Sequence, residues 1–288
     1  MDRFDWLEID STPLVMEPPG PKGAKPDPLA PSPSMPDDGP SFYRAARKMR
    51  ASGHMRAAAD FYRKAVGFDD KHYAAWVELI DTLVRAGRLE DADALSHEAH
   101  TNFRQVRALY AARALVLAHR GKFKEALPLS NVSVEGQPPQ WYPQCVRGEI
   151  YLRMSESNRQ TALSLFEDAL AITDDKWEVH LMAGWALLDT GWPALAAGHL
   201  SEAAHLRPRA PHAWLCLGDA FHELRLYDQA LFYYQRVTEL EPQHDLGIKR
   251  QQALVTLKFG LLRALDPRKL SGNWRARFDK AMERENDY

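Results

Sequence analysis

Apolar side chains between residues 74 and 100 fall into two short stretches, each with the three- and four-residue spacing of an amphipathic helix. The first stretch, 74–86, carries Trp76, Leu79, Ile80 and Leu83. The second stretch, 89–100, carries Ala92, Leu95, Ser96 and Ala99. Gly87 lies between them, and the small side chains of the second stretch allow the two helices to approach each other closely. The pattern therefore predicts a hairpin of two packed helices.

This hairpin pattern recurs along the chain with a period of 34 residues. Gly53, Gly87 and Gly121 are each 34 residues apart. Alanines keep the same period on both sides of a short insertion at 155–159: Ala58, Ala92, Ala126, Ala162, Ala196 and Ala230. One helical hairpin cannot bury its own apolar face, whereas stacked hairpins can. The period therefore predicts an α-solenoid.

The repeating unit resembles the tetratricopeptide repeat, a 34-residue pair of helices. The unit at 211–244 matches it best, with Trp214, Leu217, Gly218, Phe221, Ala230, Tyr234 and Pro242 at the family's positions. Six units are predicted to begin near Gly39, Tyr73, Arg107, Trp141, Trp177 and Pro211. Arg113 and Ser133 depart from the pattern, where the family usually has Leu and Ala. The resemblance implies an all-α, right-handed α-solenoid of about six hairpins over residues 41–244.

The N-terminal region, residues 1–40, has a different composition. It holds ten of the chain's 19 prolines, together with Gly, Ser and Asp. Such a segment has too little apolar surface to offset the entropy of ordering, so we expect a disordered arm. Four large apolar side chains nevertheless lie among acids near its start: Phe4, Trp6, Leu7 and Ile9. They are interpreted either as a solvated terminus or as a binding motif, which would occupy the chain's own groove or another protein.

The C-terminal region, residues 245–288, is predicted to cap the solenoid. Apolar positions in 245–265 give one helical face, and basic residues cover the other, as a terminal cap requires. A second stretch carries Trp274, Phe278 and Met282 with four-residue spacing. It is interpreted as a further capping helix or as a docking helix for a partner or an anionic surface.

Composition and motifs give no sign of catalysis. The net charge is −2, which offers no reason to bind nucleic acid, and no apolar run is long enough to cross a bilayer. The two cysteines are predicted to pack in the core of a cytoplasmic protein. His97 and His100 have the wrong spacing for the HExxH zinc motif. We expect no enzyme activity, no cofactor and no metal site.

Relatives of this family bind ligands on the concave face formed by the first helix of each repeat. The resemblance implies a groove with a basic first part, an apolar floor and an acidic last part. Trp185 would be either an interface anchor or a side chain partly buried against the next helix. The implied lining residues are Tyr43, Arg47, Arg50, Asp81, Arg85, Leu115, His119, Tyr142, Glu149, Arg153, Leu181, Trp185, Asp189, Asp219, His222 and Glu223.

These features predict an adaptor or scaffold that binds a peptide or helix of another protein in the groove. Two alternatives remain open, an assembly chaperone for secretion or cell-surface machinery and a regulatory subunit of an enzyme complex. The Lys and Asn clamp of the family's co-chaperones is absent, because Tyr43, Arg47, Val77 and Asp81 occupy its positions. Binding to chaperone C-termini is therefore not predicted.

Overall fold

The computed structural model describes residues 38–135, 138–264, 280, 282 and 283. Most of the predicted N-terminal arm, including Phe4, Trp6, Leu7 and Ile9, lies outside the described residues. So do Trp274 and Phe278 of the second C-terminal stretch. Of that stretch, Lys280, Met282 and Glu283 are helical, and the Met282 side chain is buried.

The described residues form thirteen α-helices and no strand. Their bounds are α1 Gly39–Ala51, α2 Met55–Phe68, α3 Tyr73–Arg85, α4 Leu89–Asn102, α5 Arg107–His119, α6 Phe123–Val134, α7 Trp141–Met154, α8 Arg159–Ile172, α9 Lys176–Asp189, α10 Pro193–Leu206, α11 Pro211–Glu223, α12 Tyr227–Leu240 and α13 Asp245–Ala264. Five of the six predicted unit starts match the first residue of a helix, and the fifth unit begins one residue earlier, at Lys176. The predicted insertion forms a 3₁₀ turn, Glu156–Asn158.

The helices pair into six hairpins that stack along the chain, which confirms the predicted α-solenoid. We call α1, α3, α5, α7, α9 and α11 the inner helices. Each of the inner helices α3 to α11 packs against the inner helix of a neighbouring repeat as well as its own hairpin partner, and α1 reaches α3 through the pairs Tyr43–Glu78 and Arg50–Asp81. The hairpin turns repeat as well, since Gly53, Gly87, Gly121 and Gly191 all have left-handed φ values. Among the described helices, none has both the length and the apolar composition needed to span a bilayer.

Close helix contacts depend on side chains that are small or absent. A Cβ atom added to Gly184 would lie 2.5 Å from Leu200 Cγ, and one added to Gly218 would lie 2.5 Å from Tyr234 Cε1. The repeating alanines Ala92 and Ala196 are completely buried. The hairpins are therefore packed to a fixed separation that larger side chains would disturb.

Enlarging either repeat alanine is expected to destabilise the fold. Ala92→Leu and Ala196→Leu should each lower the free energy of unfolding by about 1–3 kcal/mol, because overpacked cores force side chains off their preferred rotamers. Thermal or urea unfolding measures the change, with Ala171→Leu, at an exposed position in α8, as the matched control. Two variants as stable as that control would contradict the repeat register.

The solenoid also closes on itself, because α1 contacts α11 as well as its own repeat. Helix α1 and the turn after it also make polar contacts with α9 and with residues 241–244. We call this whole interface the seam. At the turn, a Cβ atom on Gly53 would lie 2.7 Å from His212 Nδ1, so only glycine permits this approach. The first and last repeats are thus held together, and the concave face becomes an interior surface.

Candidate protein-binding site

The inner helices carry every predicted groove residue, and most of them lie on the interior surface. Several charged members pair with one another across that surface, together with Glu178, which is not among the predicted groove residues. We call this set the inner ion-pair network: Arg47, Arg50, Asp81, Arg85, His119, Glu149, Arg153, Glu178 and Asp189.

Glu149 on α7 is the most heavily bonded acid of this network. Its carboxylate accepts two hydrogen bonds from Arg85, at 3.0 and 2.5 Å, and one from His119 Nε2 at 2.7 Å. Arg153 Nε donates a further bond at 3.2 Å. Burial alone would raise the pKa of Glu149, but Arg85, His119 and Arg153 outweigh it and hold the pKa well below its usual range. Glu149 is therefore an ionised structural centre of the inner face.

Arg50 and Glu178 form the corresponding centre at the seam. Arg50 Nη1 donates to Glu178 Oε2 at 2.6 Å, and Arg50 Nη2 lies 3.3 Å from Asp81 Oδ2. Arg47 reaches the same glutamate at 3.3 Å. Burial would raise the pKa of Glu178, yet the two arginines leave it lowered. The first repeat is thus tied to the fifth by buried charge pairs.

These pairs correct the predicted charge gradient. The arginines of α1 do not form a separate basic end of an open groove, because Glu178 of α9 faces them across the seam. Arg85 of α3 is likewise matched by Glu149 of α7. Charges that the linear order of repeats places far apart meet in the closed solenoid, so most of the inner charge is neutralised within the chain.

Trp185 is partly buried at the centre of the same surface. The guanidinium of Arg85 lies 4.9 Å from its ring centroid, and that of Arg50 lies 6.0 Å away. Its indole nitrogen is 3.0 Å from Cys216 Sγ on α11, and its ring meets His212 edge to face. Of the two interpretations, packing against the neighbouring helix is the one observed.

The remaining predicted residues have mixed positions. Leu115 and Leu181 are completely buried core residues. The Tyr43 hydroxyl donates to Glu78 at 2.6 Å. Asp219 accepts a hydrogen bond from Tyr234 and pairs with Arg250 of α13. Glu223 is exposed, and the His222 ring lies beside Tyr227. These last residues lie apart from the cavity described next.

A cavity of about 620 Å³ remains on the interior surface, which we call the inner cavity. Its wall comes from inner helices of the first five repeats and from the connections that precede them. Apolar and aromatic side chains dominate the wall: Tyr73, Val77, Val106, Trp141, Tyr142, Ile172 and Met182. Arg47, Arg50, Glu78, Asp81, Asp175 and Glu178 add charge. Of the predicted groove residues, Arg47, Arg50, Asp81 and Tyr142 line this space.

Polar atoms without partners lie beside this cavity. The Tyr142 hydroxyl and Asp81 Oδ1 are buried and accept or donate no hydrogen bond among the described residues, and the same holds for Arg50 Nε. Burial raises the pKa of Tyr142, so its hydroxyl stays protonated and can donate. Unbonded buried polar groups cost about 1–3 kcal/mol each. The wall therefore has unused hydrogen-bonding capacity.

A histidine cluster closes the seam at the turn after α1. His54 Nε2 lies 2.7 Å from Glu241 Oε1, and His244 Nε2 donates to the Ser52 carbonyl at 2.6 Å. The ligand atoms of His54, Glu241 and His244 all lie within 4.8 Å of one another, close enough for a metal ion. However, Gly247 N–H donates to His244 Nδ1 at 3.0 Å. Both ring nitrogens of His244 are thus engaged, and the cluster fits a structural latch better than a metal site.

Of the features that the sequence reasoning missed, Glu178 had a signal in the sequence and the histidine cluster had none. Glu178 follows Trp177, the predicted start of the fifth unit, and so lies on the first helix of that repeat, which the family resemblance places on the concave face. His54, Glu241 and His244 lie in turns, and their partners are 187 or more residues apart in sequence. Only closure of the solenoid brings them together, and no local pattern encodes that.

The architecture defines a class, an α-solenoid of helical hairpins with a 34-residue period. A model of the tetratricopeptide repeat family matches residues 211–244. This match identifies one tetratricopeptide repeat in the chain, at 211–244, and the other five hairpins repeat that unit in register.

Several solved structures resemble the chain. YrrB, a TPR protein with an unusual peptide-binding site, is 16% identical, with a TM-score of 0.39 over 67% of this chain and 99% of its own. TTC0263, a thermophilic TPR protein of Thermus thermophilus, is 20% identical, with a TM-score of 0.43 over 75% of this chain and 99% of its own. A tetratricopeptide repeat protein from Parabacteroides merdae is 14% identical, with a TM-score of 0.41 over 86% of this chain and 98% of its own.

Proposed function

We propose that this protein is a non-catalytic interaction scaffold that binds a peptide or helix of a partner protein in the inner cavity. The observation that carries the proposal is the wall of the cavity, where aromatic and aliphatic side chains surround a concave space on the inner helices. Peptide ligands bury apolar anchors in pockets of this kind, and a few polar groups fix their orientation.

The chemistry of the wall indicates the kind of partner. Tyr73 and Trp141 are partly exposed at the cavity and offer broad faces for aliphatic or aromatic anchors. The Tyr142 hydroxyl and Asp81 Oδ1, neither of which has a hydrogen-bond partner among the described residues, offer one donor and one acceptor. Since Asp81 and Glu178 neutralise Arg50, the wall selects more by shape and apolar contact than by net charge. The partner segment is therefore expected to be apolar with one or two polar groups.

Filling the cavity is expected to abolish partner binding while leaving the fold intact. Ala74 is exposed at the cavity, so Ala74→Trp should block it without disturbing the core. The measurement is quantitative mass spectrometry of proteins captured by the full chain, at low and high salt. Ala253→Trp, which makes the same change at an exposed site on α13, is the matched control.

Partners captured by the unchanged protein and the Ala253→Trp variant, but at least about tenfold depleted with Ala74→Trp, would support the cavity as the binding site. A tenfold loss corresponds to about 1.4 kcal/mol of binding free energy, a modest effect for a blocked pocket. The same set of partners on all three proteins would contradict the proposal.

A further inference from the structure

A second concave surface opens at the seam, and most of its wall is cationic. It has a volume of about 330 Å³ and lies between α1 and the fifth repeat. We call it the seam cleft, and its lining comprises Arg44, Arg47, Lys48, Arg50, Ala51, Trp177, Glu178 and Arg207. Five of these eight side chains are cations and Glu178 is the one acid among them. The cleft is therefore suited to an anion, in contrast to the apolar segment expected in the inner cavity.

Two of the five cations have no acidic partner among the described residues. Arg44 donates to the Ser41 hydroxyl, which carries no charge, and Lys48 is exposed to solvent. Helix α1 itself contains no acidic residue that could pair with them. The other three cations form ion pairs: Arg47 and Arg50 with Glu178, and Arg207 with Asp175. The cleft thus has two positive charges that no described carboxylate pairs with.

Unused hydrogen-bond donors also lie in the wall of the seam cleft. The indole N–H of Trp177 is buried without a hydrogen-bond partner among the described residues, and so is Arg50 Nε. These two side chains are only 2% and 5% exposed. The guanidinium of Arg207 lies 4.2 Å from the centroid of the Trp177 ring, which holds this third arginine beside the same donors. A ligand with several acceptor oxygens would satisfy donors that are costly to leave unbonded.

We propose that the seam cleft binds a phosphorylated serine or threonine side chain of a partner protein. A phosphate monoester carries a charge of about −1.5 to −2 at neutral pH, which matches the two unpaired cations. It has three terminal acceptor oxygens, one more than a carboxylate. Four of the five cations are arginines, whose forked donors fit phosphate oxygens. The cleft has about half the volume of the inner cavity, which suits one side chain better than a whole helix.

Arg44 and Lys48 are the expected main contacts of the phosphate. They are four residues apart on α1, so their side chains project from the same face of the helix. Both are exposed, so a phosphate reaches them without breaking the buried ion pairs. Glu178 repels it less than a free carboxylate would, because its two oxygens accept separate bonds from Arg50, at 2.6 Å, and Arg47, at 3.3 Å.

The seam cleft adjoins the inner cavity, because Arg47, Arg50 and Glu178 line both. A partner segment with apolar side chains in the cavity would have a neighbouring phosphorylated residue within reach of the cleft. Phosphorylation of the partner would then raise its affinity. This link between the two surfaces rests on the proposed function, whereas the binding of a phosphorylated side chain does not.

Isothermal titration calorimetry of the full chain with defined peptides tests the site. The probe is a short blocked peptide of alanines around one phosphoserine, and two comparison peptides carry either serine or two adjacent glutamates in its place. We expect a dissociation constant of about 1 mM or less for the phosphoserine peptide, and binding of both comparison peptides at least about tenfold weaker. A glutamate peptide that binds equally well, or a phosphoserine peptide that does not bind, would overturn the proposal. Inorganic phosphate that binds more tightly than the phosphoserine peptide would indicate a site for the free anion and would overturn it too.

Two variants of the cleft show whether the peptide binds there. Arg44→Gln and Lys48→Gln should each weaken the phosphoserine peptide by about tenfold, because each removes a charge-assisted hydrogen bond. Lys71→Gln and Arg104→Gln, which remove exposed cations outside the cleft, are the matched controls and should change the affinity by less than about twofold. Equal affinities in the cleft variants and the controls would contradict the assignment of the site. The titration needs no partner protein and leaves Ala74 unchanged, so its failure is distinguishable from a failure of the capture experiment.

Discussion

Replacing Glu149 with alanine is expected to lower the free energy of unfolding by about 3–5 kcal/mol, because Arg85 would remain buried without its main counter-charge. The side chains of Arg85 and Glu149 are 6% and 1% exposed, so water cannot replace the lost carboxylate. Asp81 lies 3.7 Å from Arg85 but also serves Arg50, and it compensates only in part. Urea unfolding followed by circular dichroism measures the loss.

The matched control is Glu223→Ala, which removes an exposed glutamate from an inner helix. It is expected to change stability by less than about 0.5 kcal/mol, as for most surface substitutions. A Glu149→Ala variant no less stable than this control would show that the inner network contributes nothing to folding.

The pH dependence of stability gives a second test of the contribution of Glu149 to folding. The pKa of Glu149 is held well below its unfolded value, so its contribution is fully present above the unfolded pKa of about 4.3. The contribution is lost as pH falls below that value towards the lower folded pKa, where the carboxylate takes up a proton. Glu149→Gln should therefore flatten the fall in stability on the acid side.

Much of the fold follows from the sequence because a repeat protein is locally determined. The 34-residue spacing of Gly53, Gly87 and Gly121 fixes the hairpin turns, and buried alanines such as Ala92 fix the helix contacts. Each repeat contacts mainly its neighbours, so a correct unit gives a correct stack. This is why the predicted unit starts agree with the observed helix starts to within one residue.

Closure of the solenoid could not be predicted in the same way. It depends on a small rotation between successive repeats that accumulates over six units, and a few degrees for each repeat separate an open groove from a closed seam. Repeat register alone predicts the lining positions: it places a side chain on the inner face but does not identify the residue that pairs with it. The pairing of Arg50 with Glu178, 128 residues apart, is a consequence of closure.

Glu178→Ala is expected to open the seam. Arg50 would lose its 2.6 Å partner and retain only Asp81, while Arg47 would lose its contact with α9. Breaking a buried pair from one side costs about 3–5 kcal/mol, and here the strain can be relieved by separating α1 from the fifth repeat. Stability should therefore fall less than with Glu149→Ala, while the distance across the seam increases.

Spin labels on cysteines introduced at Arg56 and Gln243 report that distance, because both positions are exposed beside the seam. The natural cysteines, Cys145 and Cys216, are buried, and burial raises the pKa of both thiols, so they should not react with the label. The unchanged protein should give one narrow distribution of distances between the two labels, and Glu178→Ala should give a longer and broader one.

Asp175→Ala is the matched control, since it removes an exposed carboxylate that lies three residues before Glu178 and pairs with Arg207. That control should keep the narrow distribution and lose at most about 1 kcal/mol. A narrow, unshifted distribution in Glu178→Ala would mean that the histidine latch and the α1–α11 contact hold the seam without the buried charges.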